Sequence, residues 1–130
     1  MPRILVIDDD ASVRAATQTL LELEGHEVVG AYSGRNGLEK IAAAPFDAVI
    51  VDICMPGMDG FQTIKAFKQQ IPEVPVIAMS GLAFRDSLAP APGFLDRATK
   101  VGAAYSLQKP FRPQELMKAI AACLNGGKPA

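Results

Sequence analysis

Two hydrophobic rhythms alternate along this chain. Ile4-Leu5-Val6-Ile7 and Ala48-Val49-Ile50-Val51 are continuous apolar runs, the pattern of strands covered on both faces. His26-Glu27-Val28-Val29-Gly30-Ala31-Tyr32, Val74 to Met79 and Tyr105 to Gln108 supply three more short strands. Between them the apolar positions follow a helical period. Val13, Ala16, Leu20 and Leu23 line one face of a first helix. Asp10 stands where an N-cap belongs, and Gly25 where a left-handed residue ends the helix. A weaker helix is predicted around Gly37 to Ala43, with Leu38 and Ile41 inward. Phe61, Ile64 and Phe67 mark a third, residues near Phe94 to Val101 a fourth, and Pro113 to Leu124 a last one, with Leu116, Ile120 and Cys123 or Leu124 inward.

Strand and helix alternate five times. That order predicts an α/β domain with a parallel sheet and helices on both faces. Right-handed crossovers leave few topologies for it. In such folds the functional site lies beyond the carboxyl ends of the strands, where the strand order reverses.

Composition narrows the class. The chain has 130 residues, 49% of them apolar, and a net charge of −1. That is one domain with a single core, not a disordered chain and not a nucleic-acid binder. No apolar run reaches the ~18 residues of a membrane span, and the start has no signal-peptide core, so a cytoplasmic protein is expected. His26 is the only histidine, and Cys54 and Cys123 lack metal-ligand company, which argues against zinc and for reduced thiols. GGKPA at the end reads as a flexible tail or linker, residues 125–130, behind a domain of residues 1–124.

The polar residues at the strand ends carry the chemistry. The first strand runs into Asp8-Asp9-Asp10 and the third into Asp52. The fourth ends at Ser80-Gly81 and the fifth at Lys109-Pro110. Carboxylates this close repel one another. One lysine cannot neutralise three of them, but a divalent cation can, and hard oxygen ligands suit Mg²⁺.

These positions resemble a known pattern. Asp8-Asp9, Asp52 with Met55-Pro56-Gly57-Met58-Asp59-Gly60 behind it, Ser80-Gly81, and Lys109-Pro110-Phe111 are similar to the CheY-like receiver domain of two-component response regulators. Each motif alone is weak, but all four stand at consecutive strand ends in the right order, from about Arg3 to Leu124. The resemblance implies a flavodoxin-like (βα)5 three-layer sandwich with strand order 2-1-3-4-5. It implies that Asp52 accepts a phosphoryl group from a histidine kinase or a histidine phosphotransfer protein. It further implies that Asp8, Asp9, Asp52 and the Cys54 backbone carbonyl hold Mg²⁺. Ser80, Gly81 and Lys109 would bind the phosphoryl oxygens, and the Lys109–Pro110 bond would be cis. The implied role is a phosphorelay switch acting on a downstream protein or an attached output domain, not on nucleic acid or membrane. Such a domain is not an enzyme beyond its own phosphorylation and dephosphorylation.

Two departures stand out against that family. The position three before Lys109 usually carries an aromatic, and here it is Ser106. Tyr105 lies one residue early, on the opposite face of its strand. The stretch from Ser80 to Lys109 is also longer than usual by roughly two helical turns, ~7 residues. Pro90, Pro92 and Gly93 fall within it, so the 82–93 loop is expected to form an unusual output surface.

The same residues admit other readings. Asp8-Asp9-Asp10-Ala11-Ser12 resembles the DxDx[TS] loop of haloacid-dehalogenase-type phosphohydrolases, but that leaves Asp52 without a role and needs a larger core. A pseudo-receiver, a pure interaction module, is opposed by the intact Asp8, Asp9, Asp52, Ser80 and Lys109. Asp10 is read as a helix cap, His26 as a surface residue, Met55 and Met58 as loop packing, and Phe61 and Phe111 as core.

Overall fold

In the computed structural model the described residues are 2–53, 60–80, 102–108 and 112–124. They form strands β1 (Arg3–Ile7), β2 (Glu27–Ala31), β3 (Ala48–Asp52), β4 (Val76–Ser80) and β5 (Tyr105–Gln108). The helices are α1 (Ala11–Leu23), α2 (Gly34–Ala43), α3 (Gly60–Gln70) and α4 (Pro113–Leu124). The five strands make one sheet in the order β2-β1-β3-β4-β5, with every pairing parallel. This is the order the resemblance implied. The region near Phe94 to Val101, the 82–93 loop and the tail at 125–130 lie outside the described residues, as do Met55, Met58 and Phe111 and the side chain of Phe61.

The continuous apolar runs become central strands because both faces of the sheet are covered. Alternate residues of each strand feed two cores. Leu5, Ile7, Val49, Val51, Val76 and Ala78 meet Ile64 and Phe67 of α3, with Leu38 and Ile41 of α2 packed against them. Ile4, Val6, Ile50, Ile77, Met79 and Leu107 meet Leu21 of α1 and Leu116, Ile120 and Cys123 of α4. Ile4 through Ile7 are all fully buried, each contributing about 1.5–3 kcal/mol of apolar burial. Tyr105 packs on the α1/α4 side together with Leu107. It therefore does not stand in for an aromatic at Ser106, as the face rule requires.

Local signals are mostly met. The Asp10 carboxylate accepts from the amides of Ser12 at 2.9 Å and Val13 at 3.1 Å, capping α1. Gly25 ends the same segment with φ +91°, which a side chain would strain.

Four boundaries or faces differ from the sequence expectation. α1 buries Thr17 and Leu21, while Ala16 is exposed and Leu23 is 77% exposed. The stripe is rotated because the Thr17 hydroxyl donates to the Val13 carbonyl at 2.9 Å. Satisfied inside its own helix, it can face the core. β4 starts at Val76, not Val74. The Val74 amide closes a turn on the Ile71 carbonyl at 3.0 Å, and Pro75 has no amide to give a sheet. α2 starts at Gly34 because Ser33 caps it through the Asn36 amide at 3.0 Å. His26 is half-buried rather than a surface residue, and its amide donates to the Leu21 carbonyl at 3.2 Å.

Candidate functional site: an acidic cluster at the carboxyl edge of the sheet

The β1–α1 turn is held at several points. The Asp8 amide continues the sheet by donating to the Ala31 carbonyl at 3.1 Å. The Asp8 carboxylate accepts from the Asp10 amide at 2.9 Å, an Asx turn that folds the chain back toward the helix. The Asp8 carbonyl accepts from Arg14 Nη1 at 2.7 Å. Asp8 is fully buried, whereas Asp9 is exposed at the next position.

Asp52 ends β3, the neighbour of β1, and is 5% exposed. Its strand stays in register with β4 through Asp52 opposite Met79, and the Ile53 amide donates to the Met79 carbonyl at 2.9 Å. The fold thus brings Asp8, Asp9 and Asp52 to one point. One carboxylate oxygen from each lies within 4.8 Å of the other two. Each charge pair at that distance repels by about 1–3.5 kcal/mol for an effective dielectric between 80 and 20. The donor set is all oxygen, partly buried and partly open to water, which fits a hard divalent cation that retains waters.

Asp10 does not join this cluster. Its carboxylate is occupied at the helix N-terminus, so it is a cap, and the phosphohydrolase reading loses its acid. Ser80 is the last residue of β4 and pairs with Gln108 at the end of β5. In sequence Lys109 follows Gln108 directly. Cys54, Gly81, Lys109 and Pro110 lie outside the described residues, and so does the Ser80 side chain.

A second concavity lies at the opposite end of the sheet. It encloses about 370 Å³ between Asp47, Lys68, Glu73, Pro75, Ala104, Cys123 and Leu124. Two of its charged groups are already engaged. Asp47 accepts from the Arg3 amide at 2.7 Å, and the Lys68 ammonium donates to the Pro72 and Val74 carbonyls at 3.0 and 2.9 Å. Burial pushes the Cys123 thiol up to about 11, only partly offset by the Lys68 charge, so this thiol is a poor nucleophile near neutral pH.

A family profile described as the response regulator receiver domain matches residues 4–121. This chain belongs to that family. Among solved structures it is similar to the chemotaxis protein CheY4 of Vibrio cholerae, with TM-score 0.84 and 32% identity over 95% of this chain and 99% of that one. A CheY-like receiver domain protein of Methanospirillum hungatei gives TM-score 0.87 and 28% identity, covering 98% of this receiver domain and 96% of that chain. Among curated proteins it is 35% identical to the response regulator protein FleR of Pseudomonas aeruginosa over 122 residues. It is 34% identical to the response regulator MprA of Mycolicibacterium vanbaalenii over 127. The receiver domain spans 24% of the length of FleR and 52% of that of MprA. Among the described residues, no helix is long and apolar enough to cross a membrane.

One participant escaped the sequence reading. Arg14 reaches back to the acidic turn from the first turn of α1. The available signal was its charge, because a cation there opposes the helix dipole.

Proposed function

We propose that this receiver domain is the phosphoacceptor of a two-component pathway. Asp52 takes a phosphoryl group from the phosphohistidine of a histidine kinase or a histidine phosphotransfer protein. The observation that carries this reading is the meeting of Asp8, Asp9 and Asp52 within 4.8 Å at the strand-order reversal of a receiver-family sheet. An Asp52 carboxylate oxygen forms the new bond to phosphorus as the donor's phosphorus–nitrogen bond breaks, and the electron pair leaves on the imidazole. A carboxylate is a weak nucleophile, so positioning and charge neutralisation must supply the catalysis.

Asp8, Asp9, Asp52 and the Cys54 carbonyl would hold Mg²⁺. When bound, that ion offsets the negative charge shared by the acceptor and the phosphoryl oxygens. Lys109 supplies a second positive charge, and the Ser80 hydroxyl and Gly81 amide donate to the remaining oxygens. The phosphorylated domain then changes its affinity for a downstream protein or for an output domain in the same chain. No catalysis beyond its own phosphorylation and dephosphorylation is assigned to it, and neither nucleic acid nor membrane is a partner of this domain. The location that goes with this reading is the cytoplasm.

Labelling with acetyl phosphate and Mg²⁺ tests the acceptor. The expected result is one acid-stable, base-labile phosphoryl group on the parent and none on Asp52→Asn, with both proteins giving the same circular dichroism. Label retained by the Asn variant would overturn the assignment of Asp52. Label on neither protein would favour the interaction-only module.

A further inference from the structure

We infer that Arg14 is a positioning residue for the cation site, acting through the peptide that joins Asp8 to Asp9. The inference rests on the reading of the acidic cluster as a Mg²⁺ site. Two independent observations lead to it. The first is a partly buried hydrogen bond of 2.7 Å from Arg14 Nη1 to the Asp8 carbonyl. The second is the path that allows it. β2 is an edge strand, and its Gly30 lies beneath the Arg14 side chain. A Cβ at position 30 would stand 3.1 Å from Arg14 Cδ, 3.3 Å from Arg14 Nε and 2.8 Å from Gln18 Oε1. The missing side chain leaves a channel across the sheet edge, and the arginine stem runs through it to the acidic turn.

The placement breaks a local rule. Arg14 stands in the first turn of α1, where no acidic residue is present and where the helix dipole disfavours a cation. A residue set against its local preference points to a role in the neighbouring site.

The mechanism is geometric. A peptide group is planar, so fixing the Asp8 carbonyl fixes the plane that leads into Asp9. The Asp8 amide and carboxylate are already anchored to Ala31 and Asp10. The Arg14 bond fixes the remaining polar group of that residue. Asp9 is exposed, with little packing to hold it, and the peptide plane sets the direction from which it joins Asp8 and Asp52. Outer groups that orient ligands in this way typically change metal affinity by 10–100-fold when removed. A pure charge role predicts the opposite sign. A guanidinium beside the site repels Mg²⁺, so its removal would tighten binding.

The test is a Mg²⁺ titration of the ¹⁵N-labelled protein, following the Asp9 and Asp10 amide resonances at 25 °C. Arg14→Met keeps the stem and loses the donor fork. Its Mg²⁺ Kd should rise about tenfold, while Arg14→Lys should recover part of the loss. Gly30→Val keeps the guanidinium but blocks its path, and it should weaken Mg²⁺ binding in the same direction. This gives a second readout should Arg14→Met fold poorly. Equal or tighter binding by a folded Arg14→Met variant, or by Gly30→Val, overturns the positioning role while the Mg²⁺ reading stands. A parent that shows no saturable response overturns the Mg²⁺ reading, and the Arg14 role falls with it.

Discussion

Replacing Asp9 with Asn removes one of three clustered charges with almost no change of shape. Asp9 is the exposed member, so its repulsion with Asp8 and Asp52 acts through a medium closer to water than to protein. At the 4.8 Å limit of the cluster, an effective dielectric of 40–80 gives about 0.9–1.7 kcal/mol for each of the two pairs. Screening at physiological salt, with a Debye length of about 8 Å, cuts that nearly in half. The Asn variant should therefore be more stable than the parent by about 1–2 kcal/mol in the absence of divalent cations. For a domain of this size that is a rise in Tm of roughly 4–8 °C.

Mg²⁺ should reverse the order. A ligand that binds only the folded state at ten times its Kd stabilises by about 1.4 kcal/mol, and at a hundred times by about 2.7 kcal/mol. The parent gains this increment, whereas Asp9→Asn has lost one ligand charge and gains far less. The two melting temperatures should thus converge near tenfold saturation and cross above it. The assay is thermal unfolding after chelation, repeated across a Mg²⁺ series at constant ionic strength. If Asp9→Asn melts below the parent without Mg²⁺, the repulsion argument is wrong, because Asp9 then makes a favourable interaction larger than its repulsion. A parent whose melting ignores Mg²⁺ would refute the site itself.

Two further changes probe the scaffold. Gly37→Ala should destabilise by about 1–3 kcal/mol, because its Cβ would stand 2.5 Å from Ile7 Cδ1 and 3.3 Å from Phe67 Cζ; a higher urea midpoint at unchanged slope would mean that the gain of ~1 kcal/mol in helix propensity wins instead. Cys123 offers a pH test. Its thiol is raised from 9.0 to about 11, so the folded state keeps a proton that the unfolded state releases. The contribution is fully present below about pH 9 and is lost as the pH rises towards 11, amounting to about 2–3 kcal/mol. Comparing parent and Cys123→Ala by urea denaturation should show the parent's advantage shrinking across that window, and a constant difference would refute it.

The fold was legible because its strands are covered on both faces. Burial on two sides demands continuous apolar runs, and Ile4 to Ile7 and Ala48 to Val51 have no other simple reading. The helix faces were less legible where a polar group satisfies itself. The apolar stripe of Val13, Ala16, Leu20 and Leu23 leaves out Thr17, because a hydroxyl in a core is costly, yet the Val13 carbonyl removes that cost within one turn. The start of β4 differs from the apolar run for a related reason. Val74 has strand propensity, but the amide missing at Pro75 breaks the ladder, and the Val74 amide is spent on Ile71. Propensity describes side chains, while these boundaries were decided by where backbone groups found partners.

The site divides in the same way. Asp8, Asp9 and Asp52 could be found from chain order alone, because parallel right-handed topology carries every strand's carboxyl end to one edge. A position at a strand end is a property of the sequence. A hydrogen bond from Arg14 to the Asp8 carbonyl is not, because it depends on the route a flexible side chain takes. That route exists only because β2 pairs beside β1 and carries a glycine at position 30, in register with Val6. Neither residue locates the contact alone: Arg14 signals only that a cation opposes the helix dipole, and a glycine in an edge strand is ordinary. Their relation appears only when the sheet sets them against each other. The positive charge that clustered aspartates call for is therefore pointed to from two directions. The sequence offers Lys109, next in the chain after β5, and an oxygen donor set that suits a divalent cation. The tertiary structure adds a guanidinium that engages the Asp8 carbonyl instead of a carboxylate.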